Sequence, residues 1–469
     1  MVKFWPETDG TKGRWRLSMK RILVLGAGHS APFLIRYLLD QAAERDWFVT
    51  VGDRDLAAAQ KVVGNHPAGA AIAFDINDAA MRATQFSAAD IVVNFLSPVF
   101  QHLVALECIN YGKPMVTASY TLNKVRALDT DAHRRGILIL NEMGLDPGID
   151  HMSAVELIER IHKDGGIIRS FRSYGSGLPA PEVNSNPLRY CITWNPRNIV
   201  RAGEVGAQYM EEGRIKVLSH HHVFGRTWMV DVEGVGTLEA YPNRDSLVYR
   251  SIFGLEQVHT MIRGTLRYPG WSETWNQIVQ LGLPNDTMHI PDLPQRTYRE
   301  LVQMFLPFHV VNAGLEQRVA DFLSISPTGK IMENLKWLGL FSDEIIGGKV
   351  STAADVMTDL LIKKLALPPE ARDMVILQHE IEVEYPSRKG AREQVVSTMI
   401  EYGEPGGFTA ISRTVGLPAA IATKLILLGK IPLTGCHIPT HPAIYKPVLE
   451  ELHKEGIRFR ERVEPVDSH

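Results

Sequence analysis

The stretch Ile22-Leu23-Val24-Leu25-Gly26-Ala27-Gly28-His29-Ser30-Ala31 decides the fold of the first part of this 469-residue chain. Its start, Ile22–Leu25, is a continuous apolar run, typical of a strand that is buried on both faces of a parallel sheet. The G-x-G-x-x-A loop that follows lets the backbone turn tightly before a helix that begins at Pro32. This order of strand, loop and helix predicts a site that holds a pyrophosphate at the helix N-terminus.

A second strand with an acid at its end extends this pattern. Phe48–Val51 is apolar and is followed by Gly52 and Asp53. An acid at this spacing accepts hydrogen bonds from the adenosine ribose of a dinucleotide. Its charge would repel a 2′-phosphate and favours NAD, whereas Arg54 can pair with that phosphate and favours NADP. We expect NAD as the cofactor, with NADP as the alternative.

Helical stretches connect several further apolar runs, which implies parallel βαβ units and an α/β fold. The predicted strands are Ala71–Phe74, Ile91–Phe95, Met115–Thr117 and Ile137–Leu140. Polar residues at Asn94–Pro98 and Ala118-Ser119-Tyr120 follow two of these strands, at the edge where open α/β sheets bind ligands. We predict a Rossmann dinucleotide-binding domain over 19–143, preceded by a disordered extension over 1–18.

The segment Gly144-Leu145-Asp146-Pro147-Gly148-Ile149-Asp150-His151 follows this domain. Asp150 precedes a helical pattern with an apolar face, so we interpret it as the N-cap of that helix. Asp146 stands before a Pro-Gly turn near the nicotinamide end of the first domain, which makes it a candidate general acid or base. Stabilisation of the turn through its own backbone is the alternative role of Asp146.

The rest of the chain predicts a second α/β domain with a helical insertion. Residues 144–250 and 367–469 are rich in strand and turn patterns, which predicts that they form one α/β domain. Residues 251–366 are predicted to form an all-helical domain inserted into it. The long apolar helix near 410–428 is expected to return to the Rossmann domain.

Composition excludes several classes of function. The formal net charge is −3, and 45% of the residues are apolar. This balance gives no footprint for nucleic acid or an anionic membrane surface. We found no continuous apolar run long enough for a transmembrane helix. The three cysteines are far apart, so we expect no disulfide framework and a cytoplasmic protein. Consecutive histidines at 220–222 point to different sides of an extended chain, and no metal site is predicted.

Several blocks of the sequence resemble saccharopine dehydrogenase of the L-glutamate-forming type, also called saccharopine reductase. They lie in the order that the family has, from about residue 20 to the C-terminus. Besides Gly144–His151, the blocks are Ser173–Glu182, Asn186–Tyr190, Pro242–Ser246, Arg263–Tyr268, Trp337–Ser342, Asp373–His379 and Thr414–Gly416.

The resemblance implies that the domain formed by 144–250 and 367–469 binds the substrate and also forms the contact of a homodimer. It further implies a reaction of lysine metabolism. In that reaction saccharopine, NAD(P)⁺ and water give L-glutamate and 2-aminoadipate 6-semialdehyde. Asp146 would be the catalytic residue. The implied substrate contacts are Ser119, Tyr120, Asp146, Arg244, Thr265, Leu266 and Arg267. The predicted cofactor contacts are Gly26, Gly28, His29, Ser30, Ala31, Asp53, Arg54, Asp55, Asp75, Ile76, Leu96, Ala118, Ser119, Leu145 and Pro147.

This chain departs from the family pattern at three places. Gly175 stands where fungal members have a cysteine, so a proton-transfer role of that thiol is absent and Asp146 or a water must suffice. Asp53 stands where the fungal enzymes have a neutral residue, which weakens an expectation of NADP. The glycine-rich loop is one residue shorter before its proline, which affects the contacts of His29 and Ser30.

Two alternatives to this function remain at the level of sequence. A relative that acts on another amine–aldehyde adduct, such as a carboxynorspermidine-forming or lysine-oxidising enzyme, would need fewer arginines for carboxylates. Arg244 together with Arg267 favours the tricarboxylate saccharopine. A nucleotide-binding relative without catalysis is the second alternative, because folds outlast their chemistry.

Overall fold

The computed structural model describes residues 19–307, 313–388 and 390–466, and the predicted extension over 1–18 lies outside this range. The strands are β1 Lys20–Leu25, β2 Trp47–Asp53, β3 Gly69–Ala73, β4 Ile91–Asn94, β5 Met115–Thr117, β6 Leu138–Leu140, β7 Ile167–Pro179, β8 Ala207–Glu211, β9 Arg214–Leu218, β10 Trp228–Val232, β11 Gly236–Pro242, β12 Thr260–Arg267, β13 Asp373–Tyr385, β14 Ala391–Tyr402, β15 Gly435–His437 and β16 Arg460–Pro465.

The α-helices are α1 Pro32–Arg45, α2 Leu56–Val63, α3 Ala79–Ala88, α4 Gln101–Tyr111, α5 Asn123–Arg126, α6 Asp129–Arg135, α7 Ile149–Lys163, α8 Pro196–Ala202, α9 His220–Val223, α10 Val248–Ile252, α11 Trp271–Gln280, α12 Tyr298–Met304, α13 Leu315–Leu323, α14 Lys330–Leu338, α15 Ala353–Lys364, α16 Ala410–Leu427 and α17 Pro442–Lys454. Short 3₁₀ turns lie at Pro98–Phe100, Leu293–Gln295 and Pro386–Arg388.

The first sheet has seven strands in the order β15-β6-β5-β4-β1-β2-β3. All of its strand pairs are parallel. The order of β3 to β6 is that of a Rossmann domain, whose carboxyl edge binds the dinucleotide where the strand order reverses. The predicted α/β fold with a Rossmann domain is therefore confirmed.

The second sheet is larger, with nine strands that include the path β10-β11-β12-β7-β13-β14-β16. Its long strand β13 shows why both faces are covered. Met374 and Ile376 pack with the helices that follow β12, whereas Val375 and Leu377 pack with the first domain. Successive side chains of a strand point to opposite faces, so one strand contributes to both cores.

The predicted helical range, 251–366, requires a correction. Strand β12 lies inside it and pairs with both β7 and β11 in the second sheet. Two buried arginines, Arg263 and Arg267, interrupt its apolar character, so the strand pattern is difficult to recognise. The helices α11 to α15 begin after this strand. The division of the chain into domains otherwise stays a prediction.

The C-terminal part returns to the first sheet through more than one helix. Helix α16 packs against α1, and a Cβ atom at Gly416 would lie only 2.9 Å from the Leu34 nitrogen, so the two helices approach closely there. Strand β15 also joins the first sheet, beside β6. By length and composition α16 could cross a bilayer, but most of it is buried in this fold.

Candidate active site between the two sheets

The glycine-rich loop after β1 has the shape that a dinucleotide requires. Gly26 has φ +100°, and a Cβ atom there would lie 2.7 Å from the carbonyl oxygen of Phe95. At Gly28, by contrast, no heavy atom lies within 4 Å of the Cβ position. Ala31 is the N-cap residue of α1, and its methyl group cannot make a capping hydrogen bond. The open backbone in front of a helix N-terminus fits the pyrophosphate of the cofactor.

Asp53, at the end of β2, faces this loop. Its Oδ2 accepts a hydrogen bond from the Ala27 N–H at 2.8 Å, and its Oδ1 accepts one from the Asp55 N–H at 2.9 Å. Asp55 in turn caps α2. The exposed Arg54 makes no ion pair within the described residues. The Asp53 carboxylate therefore lies next to the loop, and the exposed Arg54 follows it in the chain.

The other predicted cofactor residues follow the strands of the first sheet, but their contacts with a nucleotide stay predictions. Ile76 and Leu145 are buried in the apolar cores, and Asp75 is exposed. His29 and Ser30 lie in the glycine-rich loop, Leu96 follows β4, Ala118 and Ser119 follow β5, and Pro147 follows Asp146.

Asp146 is the centre of the site. Its Oδ1 accepts a hydrogen bond from the Tyr120 hydroxyl at 2.7 Å and a second one from the guanidinium of Arg263. The same guanidinium lies 3.2 Å from the Tyr120 hydroxyl. No donor among the described residues reaches Oδ2. A Cβ atom at Gly175 would lie 3.0 Å from this oxygen, so the glycine keeps the space beside it open.

Asp150 lies behind Asp146, and the prediction that it caps α7 is wrong. The N-cap is Gly148, and Asp150 is the second residue of the helix. Its Oδ1 accepts a hydrogen bond from the Gly148 N–H at 2.6 Å, whereas its Oδ2 lies 2.9 Å from Arg263 Nη2 and 3.2 Å from His151 Nδ1. Asp150 is buried, and its charge is compensated by these two cations.

Glu142 completes this buried cluster. Its Oε2 lies 3.0 Å from Nε2 of His151, and its Oε1 accepts a hydrogen bond from the Thr121 N–H at 2.9 Å. The cluster, which we call the charge cluster, therefore consists of Glu142, Asp146, Asp150, His151 and Arg263.

Burial opposes the charged forms within the charge cluster, but the partners outweigh it. Asp150 and the hydrogen bonds of both carboxylates raise the pKa of His151 to about 9 despite its burial. The His151 contacts hold the pKa of Glu142 below its usual value, and His151 together with Arg263 lowers that of Asp150. Burial raises the pKa of Tyr120 well above 10, so its hydroxyl stays protonated and donates to Asp146.

Arg267 forms the second part of the site. It lies four residues after Arg263 on β12, on the same face of the strand and roughly 13 Å along it. Its guanidinium lies 4.8 Å from the ring centres of both Tyr190 and Trp271, and 5.6 Å from that of Tyr241. Among the described residues, only the Ser176 hydroxyl and the Leu266 carbonyl accept its hydrogen bonds.

The buried Arg267 guanidinium thus has no carboxylate partner among the described residues, and its Nε makes no hydrogen bond. A buried cation without an anion is unfavourable unless a ligand supplies the charge. Such a site fits a substrate carboxylate.

The remaining predicted substrate residues divide into two groups. The guanidinium of the exposed Arg244 lies 5.6 Å from the Tyr120 ring centre, so it stands near Asp146. The Arg244 backbone has φ +53°, which is uncommon for a residue other than glycine. Thr265 pairs with Gly175 in the sheet. The Leu266 side chain is buried in the core, which leaves only its backbone for a ligand.

Arg263, Glu142 and His151 lie at the candidate site but were not predicted as site residues from the sequence. Arg263 belongs to the same block as Arg267, and the alternation of Arg263, Thr265 and Arg267 in a strand was the signal that could have placed it on the substrate face. The helical interpretation of this range concealed that alternation.

Known proteins resemble this chain over most of its length. The model of the saccharopine dehydrogenase NADP binding domain matches residues 22–140, and that of the saccharopine dehydrogenase C-terminal domain matches residues 144–457. A solved structure, apo histidine-tagged saccharopine dehydrogenase (L-Glu forming) from Saccharomyces cerevisiae, is similar with a TM-score of 0.82 and 32% identity. The match covers 95% of this chain and 100% of that one.

Named relatives are also similar to this chain in sequence. The chain is 32% identical over 452 residues to saccharopine dehydrogenase [NADP(+), L-glutamate-forming] of Schizosaccharomyces pombe, covering 95% of this chain and 99% of that protein. It is 33% identical to the mitochondrial alpha-aminoadipic semialdehyde synthase of Bos taurus, covering 94% of this chain and 47% of that protein. These names support a cofactor of the NADP type, and the expectation of NAD as the main cofactor is not confirmed by them.

The charge cluster predicts a pH dependence of stability. The pKa of His151 is raised to about 9 from its ordinary 6.5, so its contribution is complete below pH 6.5 and is lost as the pH rises through 9. The shift corresponds to roughly 3 kcal/mol. We expect the free energy of unfolding, measured with urea, to fall by about this amount from pH 6.5 to 10 in excess of the fall in His151→Gln. Parallel curves for the two proteins would contradict this account of His151.

Proposed function

Because the chain belongs to the L-glutamate-forming saccharopine dehydrogenase family, we propose that it oxidises saccharopine with NAD(P)⁺. The overall reaction is saccharopine + NAD(P)⁺ + H₂O ⇌ L-glutamate + 2-aminoadipate 6-semialdehyde + NAD(P)H + H⁺. The observation that carries this proposal is that Oδ2 of Asp146 is open while the buried Arg267, on the same face of β12 as Arg263, makes no ion pair among the described residues.

Two arginines supply the recognition of carboxylates. Arg267 offers a desolvated guanidinium at the far end of the site, where a carboxylate would complete its charge and occupy its free Nε. Arg244 stands at the exposed end, near the Tyr120 ring. Saccharopine, an extended molecule with three carboxylates, suits a site with two arginines.

Asp146 manages the protons. Its Oδ1 is occupied by Tyr120 and Arg263, so Oδ2 is the oxygen that can meet the secondary amine of the substrate. When bound, the nicotinamide takes up the hydride from the carbon next to this nitrogen. We propose that Oδ2 accepts the proton of the substrate ammonium before that transfer, and returns a proton to the departing glutamate amine after water has added to the imine. No cysteine is needed for these steps.

The choice between the two nucleotides follows from Asp53 and Arg54. We propose that NAD(H) is preferred, because the Asp53 carboxylate is held against the glycine-rich loop where a 2′-phosphate would meet its negative charge. Arg54, which has no ion-pair partner among the described residues, can compensate by pairing with that phosphate, so NADP(H) is accepted less well. The relatives named for NADP(+) support the use of NADP(H), whereas the preference for NAD(H) rests on Asp53 alone.

The alternatives are weaker on the same grounds. An enzyme for a carboxynorspermidine- or lysine-type substrate would have less use for a buried Arg267 that lacks a carboxylate. A nucleotide-binding relative without catalysis would have no use for the open Asp146 oxygen. The homodimer and the cytoplasmic location stay predictions.

Substrate oxidation by the purified protein tests the function. With saccharopine and either NAD⁺ or NADP⁺, we expect reduced nicotinamide and glutamate to appear in equal amounts. The Arg267→Lys substitution should raise the KM for saccharopine roughly 10- to 100-fold, because it removes one of the two hydrogen bonds to the carboxylate. A charge-assisted hydrogen bond contributes about 1.5–3 kcal/mol. In the control Arg372→Lys, an arginine that also lies over an aromatic ring but is paired with Glu182 should leave KM unchanged. Absence of turnover with both nucleotides would refute the proposed function.

Nucleotide preference is a separate prediction. We expect Arg54→Ala to lower kcat/KM for NADP⁺ roughly 10- to 100-fold while that for NAD⁺ changes little. Asp53→Asn should raise the ratio of NADP⁺ to NAD⁺ use, since the asparagine does not repel a phosphate, although its one amide oxygen can accept only one of the two hydrogen bonds from Ala27 and Asp55. Asp40→Asn, which removes one exposed charge on α1, is the control. A wild-type preference for NADP⁺ that Asp53→Asn does not alter would contradict this assignment.

A further inference from the structure

We propose that Arg263 is a positioning residue, which fixes the Asp146 carboxylate and aligns the cofactor-binding sheet with the substrate-binding sheet. This inference rests on the proposed function, because Asp146 is the group whose position it explains. Arg263 belongs to β12 of the second sheet, whereas Asp146 belongs to the segment that leaves the first sheet after β6.

The geometry of the guanidinium supports this role. Its Nη2 donates to Asp146 and to Asp150 and lies within hydrogen-bond distance of the Tyr120 hydroxyl. The ring centre of Tyr249 lies 4.5 Å from the guanidinium carbon and covers the group by a cation–π contact. The Arg263 side chain is only 4% exposed, whereas that of Asp146 is 18% exposed. Arg263 therefore supports Asp146 from the protein side and leaves the exposed side to the substrate.

The charge cluster holds Arg263 from behind. Asp150 is fixed by the Gly148 N–H and by His151, and His151 is fixed by Glu142. Glu142 is itself bound to a backbone N–H of Thr121. A chain of contacts thus connects the guanidinium to the backbone of the first domain. The charged and titratable groups that face Arg263 are Asp146, Asp150, Tyr120 and Tyr249, and its charge also acts on His151 and His379.

Asp146 depends on this support more than most carboxylates do. Among the described residues, no backbone N–H donates to its side chain, and its only hydrogen bonds are those from Tyr120 and Arg263. Gly175 provides no side chain that could confine it from the second sheet. The orientation of Asp146 is therefore set by two donors, of which Arg263 alone carries a charge.

Kinetics of Arg263→Lys test the proposal. Lysine keeps the positive charge, but its Nζ lies one bond nearer to the backbone than Nη2, and it has no planar group to pack against the Tyr249 ring. We expect kcat to fall roughly 100-fold, the loss that a displacement of about 1 Å can produce, while the KM for saccharopine stays near that of the wild type because Arg267 is intact. The primary deuterium isotope effect on kcat should rise, since hydride transfer becomes slower relative to product release. The control Arg169→Lys changes a partly exposed ion pair in β7 and should alter neither quantity.

A second variant and a structural readout keep the test independent of folding and of the assigned reaction. Asp150→Asn removes one ion pair of Arg263 and leaves the Asp146 side chain unchanged. The cluster then has two carboxylates, Glu142 and Asp146, and two cations. We therefore expect a smaller loss of kcat in the same direction. Crystal structures should show Asp146 held by Tyr120 in the wild type and rotated in Arg263→Lys.

An unmoved Asp146 with a wild-type kcat would overturn the proposal, as would a raised KM with kcat unchanged. If the wild type did not oxidise saccharopine, the proposed function would fail, and the crystal structures would still decide the role of Arg263.

Discussion

The ion pairs that Arg263 makes with Asp146 and Asp150 are the interaction on which the rest of the site depends. Removing one partner from a buried pair costs about 3–5 kcal/mol, because it leaves a charge without compensation. Here the pair also spans two sheets, with the arginine on β12 and the carboxylates after β6. The loop that fits a pyrophosphate and the strand that carries Arg267 are thereby held in one alignment.

The two arginines of β12 show how one strand can serve two purposes. Arg263 and Arg267 lie on the same face and are both buried, but Arg263 has two carboxylate partners and Arg267 has none among the described residues. A satisfied buried cation maintains the structure, whereas an unsatisfied one requires an anion from outside. This difference in compensation, more than the residue type, separates the positioning role that we propose for Arg263 from the substrate-binding role that we propose for Arg267.

The sequence predicted the Rossmann domain because its signals are local: an apolar run, a glycine-rich loop and an acid after β2. Asp146 is predicted by its place before the Pro-Gly turn and by the family resemblance, whereas Arg244 and Arg267 are predicted by the resemblance alone. The sequence does not predict strand β12, because buried arginines interrupt its apolar pattern. It predicts Asp150 as a helix cap, because an aspartate directly before a helical pattern is the usual signal for an N-cap. Its real partners, Arg263 and His151, depend on tertiary packing, which no local pattern records.

The central claim is that the open oxygen of Asp146 takes the proton of the substrate amine. Turnover of Asp146→Asn at saturating saccharopine and nucleotide tests it most directly, since asparagine keeps the shape and the hydrogen bond from Tyr120 but cannot accept the proton. The account predicts that kcat falls roughly 100- to 10,000-fold, the usual contribution of general acid–base catalysis, with binding of saccharopine retained. A kcat close to that of the wild type would contradict the account.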